Sequence, residues 1–137
     1  MVQWSDDFST GIPSLDQQHQ TLFRMVGDYR AALDEGRGEQ VYALFLESLS
    51  RFARAHFGLE EDCMVKYACP AAKINAEAHA HFSGVLEDSI ERFGRSGFDR
   101  RAATALVEML EDWLLRHIAH IDTRLRESVE SSAADGA

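Results

Sequence analysis

Four histidines interrupt apolar stripes of helical spacing, one in each of four stretches of the chain. They are His19, His56, His79 and His117. A buried imidazole needs a hydrogen-bonding partner, so one histidine on an apolar face is commonly a satisfied core residue. Four histidines on four different stretches are better explained if they bind a common metal centre. We therefore expect the four imidazoles to converge on a transition-metal site.

Two carboxylates accompany these histidines. Glu60 follows His56 by one helical turn, and Asp122 follows His117 by five residues. Four imidazoles and two carboxylates exceed the four ligands of a structural zinc site, and buried carboxylates need a cationic partner. The surplus favours two metal ions that share bridging carboxylates, with a mononuclear zinc site as the alternative.

The third of these stretches, KINAEAHAHFSGV, contains two histidines on opposite faces. Residues four apart share a helix face, whereas residues two apart point to nearly opposite sides. The face through His79 becomes apolar after its start, and the face through His81 is polar throughout. Because the apolar face is the one that burial favours, we expect His79 and Asn75 to point inward and His81 to face solvent.

The elements that must position these residues are four helices. Apolar residues recur with a period of about 3.6 over residues 14–35, 39–67, 71–93 and 99–128. In the second helix the predicted inward stripe consists of Val41, Phe45, Leu49, Phe52, His56, Glu60 and Cys63; in the third it consists of Asn75, His79, Phe82, Leu86, Ile90 and Phe93. Short connections between long helices predict an all-α, up-down-up-down antiparallel four-helix bundle.

The ends of the chain predict two additions to the bundle. An N-terminal lead-in arm carries Trp4, Phe8 and Ile12, which we expect to fold over the bundle. The last residues are small and polar, which predicts fraying. We therefore assign residues 1–128 to the bundle domain and 129–137 to a flexible C-terminal tail.

Composition excludes several classes of protein. A formal net charge of -9 and a pI of about 5.0 argue against nucleic-acid binding, which needs a basic patch. No apolar run has the length of a membrane span, and the first residues do not follow the pattern of a secretory signal. We therefore expect a cytoplasmic protein, with Cys63 and Cys69 as free thiols in the packing. The sequence predicts no particular protein partner.

Three motifs in order resemble the hemerythrin-like family, in particular its single-domain bacterial form, bacteriohemerythrin. They are WSDDFSTGIPSLDQQHQTLF, which contains His19, HFGLEEDCM, a His-x3-Glu pair, and WLLRHIAHID, a His-x4-Asp pair. The resemblance extends from Trp4 to about Leu125. It implies a non-haem di-iron centre, with an oxo or hydroxo bridge and with His19, His56, Glu60, His79, His117 and Asp122 as metal ligands.

The third helix departs from that family. Where the family has a His-x3-His motif after a proline, this chain has Asn75 and His79 after Pro70. The amide oxygen of Asn75 is expected either to bind metal weakly, to hold a water, or to leave a coordination position open. A fourth interpretation is rescue by another group such as His120, which is one turn after His117.

The resemblance implies an O2-binding protein for storage, delivery or scavenging, not an enzyme. The alternatives are peroxide or nitric oxide chemistry at an additional open position, a sensor of O2, redox state or iron, or a bundle without functional metal. We expect the small-ligand pocket to be lined by Leu22, Phe23, Phe52, Leu114 and Ile118, which plain core packing would also explain.

Overall fold

Five α-helices make up most of the residues that the structure describes. The computed structural model describes residues 4–135, with no side-chain description for residues 134 and 135. The helices are α1 (Pro13–Asp34), α2 (Gly38–Lys66), α3 (Ala72–Ser96), α4 (Arg100–His117) and α5 (Arg124–Asp135). A π-helical turn, Ile118–Asp122, joins α4 to α5, so that together they form the fourth long helix of the bundle. The prediction of an all-α four-helix bundle is confirmed.

The fourth helix differs from its prediction in two ways. The sequence pattern predicted one regular helix over 99–128, whereas the structure interrupts it with the π-helical turn. The helix also continues to Asp135, through most of the segment 129–137 that was assigned to a tail. Residues 136–137 of that segment, and residues 1–3 of the lead-in arm, lie outside the described part of the chain. The domain boundary at residue 128 stays a prediction.

Local sequence signals set the helix ends. Pro13 occupies the first position of α1, where its missing N–H costs no hydrogen bond. After α1, Gly36 adopts a positive φ of 78°, and the Arg37 amide donates to the Ala32 carbonyl at 2.7 Å. This arrangement satisfies the last carbonyls of the helix and reverses the chain. Asp99 caps α4 by accepting from the Arg101 amide at 3.0 Å.

The order of packing follows from these short connections. α1 packs mainly against α2 and α4, and α2 packs also against α3, as expected for antiparallel neighbours. His19 and His79 lie near the beginnings of α1 and α3, whereas His56 and His117 lie near the ends of α2 and α4. Beginnings and ends of antiparallel helices meet at the same end of a bundle, so all four histidines lie at one level.

Burial follows the predicted stripes with some shifts. In α2, Val41, Phe52 and Cys63 are only partly buried. The buried face of α2 includes Tyr42, Leu46, Ala53, Phe57 and Met64 instead. It is displaced because α2 packs against both α1 and α3. In α3, Ile90 is 39% exposed and lines a surface groove towards α2, so its predicted burial is wrong.

The lead-in arm covers one side of the bundle as predicted. Trp4 and Phe8 pack against the main core, with their ring centroids 6.4 and 6.2 Å from that of Phe23. Asp16, in the first turn of α1, accepts from the Thr10 amide at 2.7 Å and from the Thr10 hydroxyl at 2.9 Å. Arg126 of α5 donates to the Ser9 carbonyl at 2.7 Å. The first turns of α1 and α5 therefore hold the arm.

No helix among the described residues is both long enough and apolar enough to cross a bilayer.

Candidate metal centre

Six potential metal-binding side chains converge inside the bundle. All are at most 4% exposed: His19, His56, Glu60, His79, His117 and Asp122. They come from all four long helices and fall into two groups that share carboxylates. In each group the candidate ligand atoms lie within 4.8 Å of one another. The structure therefore brings together every residue for which the sequence predicted a metal-binding role.

The first group, called here the His19–His56 side, lies between α1 and α2. His19 Nε2 is 2.7 Å from Glu60 Oε2 and 3.2 Å from Asp122 Oδ2. His56 Nε2 is 3.4 Å from Glu60 Oε2. Both imidazoles thus face Glu60 Oε2, and His19 also faces Asp122 Oδ2.

The second group, called here the His79–His117 side, lies between α3 and the end of α4. His79 Nε2 is 3.0 Å from Glu60 Oε1, and His117 Nε2 is 3.0 Å from Asp122 Oδ1. These oxygens are the other oxygen of each carboxylate. Glu60 and Asp122 therefore each direct one oxygen to each side, as a carboxylate does when it bridges two cations.

Asn75 belongs to the second group by position. It is fully buried. With its nitrogen turned inward, its amide donates to Asp122 Oδ1 and to Glu60 Oε1, both at 3.1 Å. With its oxygen turned inward, it accepts from His117 Nε2 at 2.8 Å. The inward orientation of Asn75 and the outward orientation of His81 both match the predicted faces of the third helix.

The π-helical turn explains how Asp122 reaches the cluster. On a regular α-helix, residues five apart lie about 140° apart around the axis and cannot share a face. In the π-helical turn the Thr123 amide donates to the Ile118 carbonyl at 3.1 Å, a bond between residues five apart. The wider turn brings Asp122 under His117. The five-residue spacing of His117 and Asp122 is the signal for this irregular turn, whereas apolar periodicity alone predicts a regular helix.

Two further residues hold the outer ring nitrogens of the histidines. His56 Nδ1 donates to Gln18 Oε1 at 2.7 Å, and His79 Nδ1 lies 3.4 Å from Glu61 Oε2. Such partners fix the orientation of a metal-binding ring and raise its basicity. The sequence patterns did not reveal these two residues. Each is adjacent in sequence to a predicted ligand, and that is the only signal that could have found them.

Aromatic rings enclose the His79–His117 side. Phe57 stacks on His79 with ring centroids 3.8 Å apart, and Trp113 stacks on His117 with centroids 4.3 Å apart. Trp4 approaches His19 more loosely, at 6.5 Å. Stacked rings restrict rotation of the imidazoles and cover part of the cluster. The histidines are thus positioned by packing as well as by hydrogen bonds.

Burial and close contacts shift two pKa values in the metal-free cluster. Burial alone would lower the pKa of His19, but its contacts with Asp122 and Glu60 raise that pKa to about 10. Burial would raise the pKa of Glu60, but His19, His56 and His79 hold it well below its usual range. Without metal, a proton on His19 therefore balances part of the buried negative charge.

The donor set suits a pair of transition-metal ions. Metal bonds to imidazole nitrogen and carboxylate oxygen are about 2.0–2.2 Å long, which places neighbouring donors of an octahedron about 3 Å apart. The separations on both sides, from 2.7 to 3.4 Å, agree with that spacing. The buried carboxylates need positive charge, which two cations would supply.

The predicted pocket residues lie in different surroundings. The structure buries Leu22, Phe23, Leu114 and Ile118 in the main core. Phe52 is half-buried and lines a surface cavity beside Leu44. A separate solvent-open cavity of about 390 Å³ between α3 and α4 is lined by His117, Trp113, His81 and His120. His120 is exposed, which does not favour it as a substitute ligand.

Comparison with known proteins agrees with this geometry. Residues 10–127 match the family model described as hemerythrin HHE cation binding domain. The chain is 26% identical to a bacteriohemerythrin of Pseudomonas aeruginosa, over 96% of this chain and 84% of that protein. It is 25% identical to a bacteriohemerythrin of Stenotrophomonas maltophilia, over 96% and 83%. With a hemerythrin-like protein of Naegleria gruberi the identity is 26%, over 90% and 89%. The chain belongs to the hemerythrin HHE cation-binding family.

Proposed function

We propose that the chain is a non-haem di-iron protein that binds O2 in the core of its helix bundle. The observation that carries the proposal is the division of Glu60 and Asp122 between two pairs of histidines. Each carboxylate directs one oxygen to each side, at 2.7 to 3.2 Å from a ring nitrogen. The bacteriohemerythrins to which the chain is similar, and the cation-binding family model, support the same proposal.

Each residue has a role in this proposal. His19 and His56 would hold one iron, His79 and His117 would hold the other, and Glu60 and Asp122 would offer one oxygen to each. When bound, an iron pair supplies two electrons and open coordination positions for reversible capture of O2. The chain would orient the ring nitrogens through Gln18 and Glu61 and would hold the rings of His79 and His117 with Phe57 and Trp113. A rigid, buried site would limit the entry of protons to the iron pair.

Optical spectroscopy tests this function. The reduced, iron-loaded protein should develop a visible absorption band on exposure to O2 and lose that band when O2 is removed under inert gas. His81→Ala serves as the control variant, because His81 is exposed and outside the cluster. A band that never reverses, or no band at all with iron bound, would contradict O2 carriage.

Peroxide handling is a second candidate. Two features favour it: the resemblance to the family implies a histidine at the position of Asn75, and a solvent-open cavity is lined in part by His117. A weaker ligand at position 75 leaves the neighbouring iron more accessible to water or hydrogen peroxide. Consumption of hydrogen peroxide by the iron-loaded protein, with irreversible oxidation in air, would favour this candidate over O2 carriage.

A further inference from the structure

The two sides of the centre offer different sets of protein donors. The His19–His56 side has two imidazole nitrogens, Glu60 Oε2 and Asp122 Oδ2. The His79–His117 side has two imidazole nitrogens, Glu60 Oε1, Asp122 Oδ1 and the Asn75 amide. Oxygen atoms thus make up two of four donors on the first side. They make up three of five donors on the second side when the Asn75 amide presents its oxygen.

The Asn75 amide lies at a ligand's distance from every other donor on its side. One terminal atom of that amide is 2.8 Å from His117 Nε2, 3.0 Å from His79 Nε2 and 3.1 Å from Asp122 Oδ1 and Glu60 Oε1. Donors that share one octahedral ion are separated by about 3 Å when the metal–ligand bonds are about 2.1 Å long. The amide therefore stands where a further ligand of the same ion would stand.

Rotation of the amide lets Asn75 serve both the empty and the filled centre. In the metal-free cluster its nitrogen donates to the two carboxylates. A half-turn about one side-chain bond replaces that nitrogen with the carbonyl oxygen, which is a hard, neutral donor. Because the half-turn exchanges two terminal atoms of one planar group in place, no displacement of α3 is required.

Oxygen donors change which metal is preferred. Carboxylate, carbonyl and water oxygens suit Mn²⁺, whereas imidazole suits iron, and Fe²⁺ lies above Mn²⁺ in the general order of affinities. Replacing an imidazole with an amide oxygen removes a donor that favours iron. The discrimination between Fe²⁺ and Mn²⁺ should therefore be weakest on the side that contains Asn75.

We propose that Asn75 lets Mn²⁺ replace iron on the His79–His117 side when Mn²⁺ is in excess, so that the chain then assembles a mixed manganese–iron centre. Iron then occupies the His19–His56 side. This inference rests on the two-metal centre proposed above and adds the selectivity of one of its positions. With iron as the only metal supplied, both positions take iron.

Competitive loading tests the inference. The protein is incubated without oxygen with Fe²⁺ and an excess of Mn²⁺, freed of unbound metal, and analysed for both elements. The native chain should hold about two ions in total, of which about one is manganese. Asn75→His should lower the ratio of manganese to iron on the order of tenfold, at the lower end of what changes around a metal site do to affinity.

Two further variants make the result specific. Asn75→Asp keeps an oxygen donor and should retain manganese at least as well as the native chain. It also keeps the test decisive if Asn75→His fails to fold. His81→Asn introduces an amide on the exposed face of the same helix and should leave the ratio unchanged.

The outcomes separate the two proposals. Two iron ions per chain with almost no manganese would overturn the inference and leave the di-iron centre standing. The same would follow if the native chain and Asn75→His had equal ratios of manganese to iron. Less than about one ion of both metals together would overturn the two-metal centre and the inference with it.

Discussion

At the scale of single residues, the two histidines of the third helix provide a matched comparison. His79 is 3% exposed and lies 3.0 Å from Glu60 Oε1, whereas His81 is exposed. We expect His79→Ala to lose about one of two bound ions, because a position with one imidazole fewer holds its metal less tightly. His81→Ala should keep both. Metal analysis after anaerobic loading measures the difference, and equal losses in the two variants would contradict the assigned facing of α3.

A second prediction concerns the proton on His19. Since contacts with Asp122 and Glu60 raise the His19 pKa to about 10, this ring is protonated in the metal-free protein near neutral pH. A metal ion must displace that proton, because only the neutral imidazole binds metal. Metal uptake near pH 7 should therefore release protons, and affinity should rise with pH. Titration calorimetry in two buffers of different ionisation enthalpy measures the release; identical heats in both buffers would contradict it.

The same pKa has a consequence for the stability of the metal-free fold. The folded-state pKa of His19 lies above its ordinary value of 6.5. Its contribution to the free energy of unfolding is therefore fully present below about pH 6.5 and is lost as the pH rises towards about 10. The metal-free protein should lose thermal stability across this window, and the metal-loaded protein should lose less. Thermal unfolding of the metal-free and metal-loaded protein at several pH values measures this loss. An unchanged unfolding temperature of the metal-free protein across the window would contradict it.

Residue patterns alone predicted the main donors but not their supports. Apolar burial selects the inward histidines, because polar residues on an apolar stripe stand out. Gln18 and Glu61 carry no such signal, since each lies beside a predicted stripe and touches a histidine on another helix. Their roles depend on how neighbouring helices are rotated against each other, which one chain's periodicity does not encode. For Asn75 the sequence predicted the inward position, but it did not decide whether the amide binds metal, holds a water or leaves a coordination position open.

At the scale of elements, Arg126 is one of the residues that hold the lead-in arm. Its guanidinium donates to the Ser9 carbonyl at 2.7 Å and to the Asp7 carbonyl at 2.9 Å. We expect Arg126→Met to cost about 1.5–3 kcal/mol locally, the range for hydrogen bonds to charged groups. The amides of Phe8 and Ser9, which donate within the arm, should then exchange hydrogen faster.

An internal reference and a matched variant accompany this test. The Thr10 amide donates to Asp16 and not to a carbonyl of the arm, so its exchange should change little. Arg124 is an exposed arginine two residues before Arg126, and Arg124→Met should leave the arm unchanged. If Arg126→Met and Arg124→Met gave the same amide exchange rates, the hydrogen bonds of Arg126 would not hold the arm.

The fourth long helix shows where element prediction fails. Periodicity over 99–128 predicts a continuous helix, because one inserted residue hardly disturbs an apolar stripe of that length. The structure instead places a π-helical turn at Ile118–Asp122. A turn of this kind costs backbone hydrogen-bond geometry and is found mostly at functional sites. Here it turns the Asp122 carboxylate towards His117, which a regular helix would not do.

At the scale of the whole molecule, antiparallel packing is what makes the centre. The four histidines are spread over about a hundred residues of the chain, yet they lie at one level because helix beginnings and ends alternate. The bundle was predictable because four long periodic stretches with short connections have few other arrangements. The exposure of Ile90 and the shifted face of α2 were not predictable, since they depend on which neighbours each helix packs against.

The central claim is that this bundle holds two metal ions between four histidines and two shared carboxylates. Metal analysis of the purified protein, loaded with Fe²⁺ alone without oxygen and freed of unbound metal, tests it most directly. The proposed centre predicts about two iron ions per chain. Fewer than about one iron ion per chain would contradict it.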